Sequence, residues 1–192
     1  MVLSSKDFVS PPEIIATTTA LFDGEIELDP ASSSFANSVV QATKYFSWEN
    51  NGLTQDWKAK NIYLYPPRDI LLKHEQPKET RLFQKTRSFK KSSQRVWFEL
   101  AYKKWVKKEF NEGIIFITST EVALLATQRL GFDFPVCILK ERPRLRIDNQ
   151  TLDKVKSAKV FGFIFYLPPV EDYDLGVSRF FSLYSNLGRV YI

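Results

Sequence analysis

The stretch from Ile62 to Asp69 constrains the fold most, because an apolar run there ends abruptly in two prolines. Proline has no amide hydrogen and a fixed φ angle, so Pro66-Pro67 cannot continue a hydrogen-bonded strand. Arg68 and Asp69, of opposite charge, follow at once. The pattern predicts a strand that stops at a rigid, polar-tipped loop. In open α/β sheets, ligands and catalytic groups lie at such carboxyl ends, although a loop that merely ends a strand has the same pattern.

Composition predicts one packed domain spanning residues 1–192. Of the 192 residues, 44% are hydrophobic and 15% aromatic, which favours a folded core over disorder. No apolar run approaches the roughly 20 residues that span a bilayer, and no signal peptide is visible. A single cysteine, Cys137, and a single histidine, His74, argue against a disulfide framework and a metal site. We therefore expect a cytoplasmic protein with no metal and no membrane association.

The charge is unevenly distributed along the chain. Residues 1–68 hold 5 Lys/Arg against 8 Asp/Glu, whereas residues 69–112 hold 12 against 6. Residues 69–93 are polar and poorly periodic, which predicts a basic loop inserted after the Pro-Pro pair. A basic segment beside an acidic one suggests a polyanion contact. A solvated lysine-rich surface explains the charge equally well.

Strand and helix patterns alternate along the chain, which predicts an α/β fold with one mixed sheet. Ser10, three residues before Glu13, has the spacing of a helix cap, and a helix is expected from there. A second helix is expected after the small residues 31–34, continuing from Val39 and ending by Phe46, and a third is expected after a cap at Ser93. Strands are predicted in the following segments: 25–28, 61–65, 114–117, 134–139, 145–147, 160–167 and 189–192.

The predicted strand 25–28 ends in Asp29-Pro30, and small residues follow from Ala31 to Ser34. An acid at a strand tip, followed by small residues that lead into a helix, lets a ligand approach the backbone closely. Ordinary turn chemistry produces the same sequence.

A family resemblance appears when these motifs are read in order. Ser-Pro-Pro at 10–12 precedes Leu-Asp-Pro-Ala-Ser at 28–32, and Val-x-Ala-x-x-Tyr-Phe follows at 40–46. Asn-Gly-Leu-x-x-x-Trp at 51–57 then leads to the strand that ends in Pro-Pro. The chain resembles the phage-type DNA adenine-N6 methyltransferases over roughly residues 9–192, including Phe134-Pro-Val-Cys and Arg142-Pro-Arg-Leu-Arg.

The resemblance implies a single-domain Rossmann-like methyltransferase fold with a mixed, mostly parallel sheet. It implies S-adenosylmethionine as cofactor and duplex DNA as partner, with the target adenine flipped into a pocket. The cofactor residues that it implies are Pro11, Pro12, Asp29, Pro30, Ala31 and Ser32. The family's Asn/Asp-Pro-Pro-aromatic catalytic motif falls on Tyr65, Pro66, Pro67 and Arg68.

Both outer positions of the catalytic motif depart from the family pattern. Tyr65 places a phenol oxygen farther from the backbone than an Asn amide oxygen, and Arg68 brings a charge where the family has a base-stacking aromatic. Two hypotheses follow. The chain is an active methyltransferase in which another group, such as Asp69, replaces the acceptor, or it is a catalytically inactive relative that serves as a nucleic-acid-binding module or partner subunit. A basic α/β domain outside this family is the third possibility.

Basic residues before the third helix are the candidates for DNA contact, since Lys and Arg neutralise phosphates. The candidates are Lys85, Arg87, Lys90 and Lys91.

Overall fold

The structure is a computed structural model that describes residues 8–68, 70–72, 90–129, 134–143, 145–147 and 161–192. The described helices are α1 (Pro12–Leu21), α2 (Ser34–Val40), α3 (Ser93–Val106), α4 (Thr120–Arg129) and α5 (Tyr173–Tyr184). The first six described strands are β1 (Phe8–Val9), β2 (Leu28–Asp29), β3 (Lys44–Tyr45), β4 (Ala59–Leu64), β5 (Ile70–Leu72) and β6 (Lys90–Ser92). The others are β7 (Phe110–Ile117), β8 (Val136–Leu139), β9 (Arg146–Ile147), β10 (Phe163–Leu167) and β11 (Gly188–Tyr191).

Seven strands form one mixed sheet in the order β11-β8-β10-β7-β4-β2-β3. The ladders that join β3, β2, β4 and β7 are parallel. Those that join β7, β10, β8 and β11 are antiparallel. The expected α/β class with a mixed sheet is confirmed, but the sheet is mostly parallel only in its first part.

Helices cover both faces of the sheet, because the central strands are apolar on both sides. Along β7, Ile115 and Ile117 face a core that holds residues of α3 and α4. Ile114 and Phe116 face a second core formed with α1, α2 and α5. Within the described ranges, no helix is long and apolar enough to cross a membrane.

Several predicted boundaries are wrong for identifiable reasons. Helix α1 begins at Pro12 as expected, but its N-cap is Pro11, without a side-chain cap, because the Ser10 hydroxyl bonds elsewhere. The second helix ends at Val40, and Gln41 adopts a left-handed conformation, so 44–45 pair as β3 instead of continuing the helix. Ser93 is the first residue of α3 and not its cap.

Two small sheets lie apart from the main one. The predicted strand 145–147 appears as β9, which pairs with β1 and not with the seven-stranded sheet. The stretch expected to be a basic loop begins and ends in paired strands, β5 and β6, which are antiparallel. This pairing brings Ile70 opposite Ser92, so the chain returns to the end of β4 immediately before α3 begins.

Candidate functional site

The strand order reverses direction between β2 and β4. From β2 the chain moves outward to β3, then returns to the other side of β2 as β4 and continues to β7. In open α/β sheets such a reversal leaves a crevice outside the carboxyl ends of the two strands, and ligands bind there. The residues at these two carboxyl ends are Asp29, the last residue of β2, and Tyr65, the first residue after β4. The topology therefore brings two of the predicted motifs to neighbouring strand ends.

Asp29 is buried but hydrogen-bonded. Its side chain is 3% exposed, and its carboxylate accepts a hydrogen bond of 3.1 Å from the Ala31 amide. Burial raises the pKa of Asp29 to about 6, against the opposing influence of the Ser32 side chain and the Ala31 amide. The carboxyl group thus titrates close to neutral pH, and its hydrogen bond is to the backbone of its own loop.

The loop after β2 packs tightly against an aromatic group. A Cβ at Gly52 would lie 2.0 Å from the Pro30 carbonyl oxygen and 3.1 Å from the Trp97 ring, so only glycine fits without a shift. The Trp57 indole donates a 2.8 Å hydrogen bond to the Gly52 carbonyl and stacks on Trp97 at 5.9 Å. The cofactor residue predicted at position 30 is therefore held by the hydrophobic core.

Tyr65 points into the core on the α1 side of the sheet. It is 9% exposed, and its ring centroid lies 4.8 Å from that of Phe116. Burial raises the pKa of Tyr65 to about 12, opposed by the charge of Arg68 and by the nearby Thr118 side chain. Thr118 does not complete a hydrogen bond of normal geometry, so the phenol oxygen has no partner among the described residues.

The solvent exposure of the other predicted catalytic residues increases along the chain from Pro66 to Arg68. Pro66 is buried, Pro67 is half-buried and Arg68 is exposed at the end of the strand. The arginine is therefore the most exposed side chain of this motif. Asp69 lies outside the described residues.

Tyr63, which the sequence interpretation missed, links three of the predicted segments. Its hydroxyl donates a 2.6 Å hydrogen bond to the Ser10 hydroxyl, immediately before Pro11 and α1. Burial raises the pKa of Tyr63 well above its usual value, and the charges of Asp29 and Tyr65 raise it further. The start of α1 and the ends of β2 and β4 thus meet around this phenol. Alternation along β4, which places Tyr63 on the same face as Tyr65, was the available signal.

A second polar cluster lies where β7 ends and α3 begins. Gln94, which is buried, accepts hydrogen bonds from the amides of Thr118 (3.2 Å) and Ser119 (2.9 Å). Its amide nitrogen donates to the Thr118 hydroxyl at 3.0 Å. This cluster fixes the start of α3 at the same sheet edge as the Tyr65–Arg68 loop, and nothing in the sequence indicated that its two segments are in contact.

A cavity of about 500 Å³ lies at the carboxyl end of β8, beside the start of α1. Pro11 and Pro12 line it, together with Lys140, Arg142 and the turn at Leu187. The other predicted cofactor residues, those at 29–32, are not part of its lining. The predicted cofactor set is therefore divided between this cavity, which Pro11 and Pro12 line, and the loop after β2.

The predicted DNA-contacting residues are placed only in part. Lys90 and Lys91 lie in β6, directly before α3, while Lys85 and Arg87 lie outside the described residues. No group of three or more His, Cys, Asp or Glu side chains that could hold a metal ion occurs in the part of the chain that the structure describes.

Comparison of the chain with protein-family models, with curated proteins and with solved structures gives no match. The interpretation of the site therefore depends on its own geometry and on the motifs of the sequence.

Proposed function

We propose that the chain is a Rossmann-like, DNA-methyltransferase-like domain that binds S-adenosylmethionine at the crevice between β2 and β4 and transfers methyl groups to adenine poorly. The observation that carries this proposal is the meeting of three separate motifs at Tyr63. The segments that begin at Ser10, Asp29 and Tyr65 each resemble the same family, and they converge at the strand reversal where α/β sheets bind nucleotides.

The residues of the crevice fit such a cofactor chemically. S-adenosylmethionine carries an ammonium group and ribose hydroxyls, which need acceptors, and it supplies a methyl group on a sulfonium when bound. Asp29 offers a carboxylate whose pKa near 6 leaves it mostly ionised at neutral pH, and the half-buried Ser32 offers a hydroxyl. Pro11 and Pro12 form an apolar wall of the cavity beside the start of α1.

Poor transfer follows from the position of the Tyr65 side chain. In the family, the corresponding Asn or Asp oxygen accepts a hydrogen bond from the target amine. The phenol of Tyr65 is buried against Phe116, and burial holds its pKa at about 12, so it remains neutral. Losing one preorganised contact of this kind typically lowers a rate by roughly 100- to 1000-fold.

Calorimetric titration with S-adenosylmethionine and S-adenosylhomocysteine tests cofactor binding. We expect saturable binding that Asp29→Ala weakens, because the substitution removes the buried carboxylate from the crevice. Asp56→Ala, at an exposed position, is the control for the loss of one acid and should bind as the wild type does. No binding at millimolar ligand would refute the proposal.

Nucleic-acid binding without methyl transfer is a second candidate function, favoured by the basic strand β6 that leads into α3 at the same edge of the sheet. Cations that neutralise phosphates release counterions, so duplex affinity should fall steeply with salt. Alanine at Lys85, Arg87, Lys90 and Lys91 should weaken binding and flatten the dependence on salt. Sequence preference should change little, because phosphate contacts do not read bases.

A matched control removes four exposed lysines from the opposite edge of the sheet. Lys58 and Lys60 lie at the start of β4, and Lys107 and Lys108 follow the end of α3. Replacing these four with alanine changes the net charge equally. If both quadruple variants lose the same affinity, the binding reflects net charge and not a surface at the carboxyl edge.

A further inference from the structure

The start of α3 contains a buried hydroxyl group without a partner. Ser93 is the first helical residue, it is fully buried, and its Oγ has no hydrogen-bond partner among the described residues. An unsatisfied buried hydroxyl is unfavourable and therefore rare in folded proteins. Its position in the first turn places it beside the backbone amides at the helix start.

Those amides also lack a side-chain cap. The first four amide groups of a helix have no acceptor within the helix, and the side chain of the N-cap residue Ser92 makes no capping bond. The first turn of α3 contains no acidic residue. A 14-residue helix carries a partial positive charge at its start, so this end favours an anion.

A second unpartnered hydroxyl lies at the same edge of the sheet. The phenol of Tyr65 lies near Thr118, which accepts a hydrogen bond from Gln94, the residue after Ser93. Gln94 is tied to the end of β7 by three hydrogen bonds, so the helix start is rigidly held there. Two unpartnered hydroxyls thus flank the Gln94 hydrogen bonds that fix the helix terminus, and neither hydroxyl takes part in those bonds.

The local charge also favours an anion. Residues 90–98 contain Lys90, Lys91 and Arg95 and no acid. The next acid, Glu99, is buried and paired with Arg95 at 2.8 Å. The one carboxylate next to this segment, Glu99, is therefore already paired with a cation when a phosphate approaches.

We propose that the start of α3 is a phosphate-binding site, in which the first-turn amides and the Ser93 hydroxyl hold one phosphate group. This inference deepens the proposed function, on which it rests for the identity of the ligand as a backbone phosphate of bound DNA. Phosphate positions the nucleic acid and does not read its sequence. Free phosphate or a nucleotide shares the same chemistry, and the experiment separates these sources.

The experiment compares two variants whose stability and binding should change independently. Ser93→Ala removes an unsatisfied hydroxyl, so it should leave stability unchanged or raise it, while it weakens phosphate binding by about tenfold. Ser92→Asp supplies a carboxylate that caps the amides, so it should stabilise the fold and compete with the anion. Higher stability together with weaker binding excludes misfolding as the cause.

Ser178→Asp is the charge-matched control, because it adds one acid at an exposed position in α5. Binding of duplex DNA is measured by fluorescence anisotropy, and binding of inorganic phosphate by the shifts of the Ser93 to Arg95 amide resonances. Weaker DNA binding by Ser92→Asp and Ser93→Ala, but not by Ser178→Asp, supports the site. Phosphate binding without any effect on DNA assigns the site to a free anion and overturns its role in holding DNA.

Wild-type affinity for both ligands in the two α3 variants overturns the proposal. The cofactor titration is repeated on the same variants, so that the two proposals fail separately. Binding of S-adenosylmethionine without any DNA or phosphate binding rejects the α3 site alone. DNA binding that depends on Ser93, without any cofactor binding, rejects the proposed methyltransferase-like function and leaves the phosphate site in place.

Discussion

The ends of β2 and β4 lie side by side, but the polar residues there differ in their hydrogen bonding. The Asp29 carboxylate has a hydrogen-bond partner, and the Tyr65 hydroxyl has none among the described residues. Asp29 is buried with an internal hydrogen bond from Ala31, so its carboxylate has an acceptor role within its own loop. Tyr65 is buried with its ring on Phe116 and its hydroxyl unpaired. At the end of β2, the Asp29 carboxyl group has a pKa of about 6, close to neutral pH. At the end of β4, the Tyr65 side chain points into the core instead.

In the proposed function, this difference assigns cofactor binding to the end of β2 and the loss of methyl transfer to the end of β4. Binding needs acceptors fixed in place, which the Asp29 loop retains through its contact with Gly52. Transfer to an amine needs an acceptor that faces the substrate, and the direction of Tyr65 denies it. Substitutions at the two ends should therefore affect different measurements.

The largest expected effect comes from rebuilding the β4 end. Tyr65→Asn combined with Arg68→Tyr recreates the family's Asn-Pro-Pro-Tyr, and methyl transfer to adenine should rise by roughly 100- to 1000-fold, measured as N6-methyladenine by mass spectrometry. Removing a buried aromatic ring costs about 3–5 kcal/mol of stability, so the assay needs low temperature. The two single variants are the controls. Strong wild-type activity that Tyr65→Asn abolishes would contradict the comparison, and Asp69→Asn would then be the variant to examine.

At the β2 end, Asp29→Asn should make stability less dependent on pH. Burial raises the pKa of Asp29 in the folded protein to about 6, so folding favours the protonated carboxyl group. The contribution of Asp29 to the free energy of unfolding is therefore fully present below about pH 4 and is lost as the pH rises through 6. A shift of about two pKa units corresponds to about 3 kcal/mol. The variant should therefore be more stable than the wild type at pH 7.5, by an amount that vanishes near pH 4. Denaturant unfolding at both pH values measures this, and an equal difference at both would contradict it.

Gly52→Ala tests whether the β2 loop depends on its close backbone contact. The added methyl group would meet the Pro30 carbonyl at 2.0 Å, so the loop must shift, at a cost of about 2 kcal/mol. Cofactor binding should weaken in calorimetry, while DNA affinity should stay within about twofold. Gly24→Ala is a useful contrast, because no atom lies within 4 Å of its Cβ and any cost comes from its φ of 107° alone. Unchanged cofactor affinity in Gly52→Ala would show that the loop after β2 is not part of the cofactor site.

The smallest effect is expected for Tyr65→Phe. It removes an unsatisfied buried hydroxyl and keeps the ring on Phe116, so thermal stability should stay equal or increase by about 1 kcal/mol. A loss of stability of more than about 1 kcal/mol would show that the Tyr65 hydroxyl is hydrogen-bonded in solution. Tyr65 and Asp29 would then no longer differ in having a hydrogen-bond partner.

The sequence predicted those elements that local chemistry determines. The apolar runs of β4 and β7 and the proline start of α1 were placed correctly, since buried strands and helix starts have local signatures. The strand β3 was missed because two residues, Lys44 and Tyr45, carry no pattern, and their extended conformation depends on pairing with β2. A mixed sheet was expected, but the extent of its antiparallel part was not, because strand direction is a property of the whole topology.

The site was predictable as a set of segments but not as a set of contacts. Ser10 had the spacing of a helix cap, yet a phenol 53 residues away takes its hydroxyl. The sequence identified Tyr65 as a departure from the family's motif, while the direction of its ring toward Phe116 required the fold. The cluster at Gln94 joins positions 24 residues apart and leaves no trace in either segment alone.

The insertion of β10 between β7 and β8 affects how the protein is assembled during synthesis. Strand β8 comes earlier in the chain, but in the finished sheet it bonds only to β10 and β11, which follow it. Until residues 163–167 emerge from the ribosome, one edge of β7 and all of β8 lack their main-chain partners. Late, non-local pairing of this kind slows folding and exposes strand edges that can aggregate. We therefore expect the nascent chain to need protection until residues 163–191 have been made.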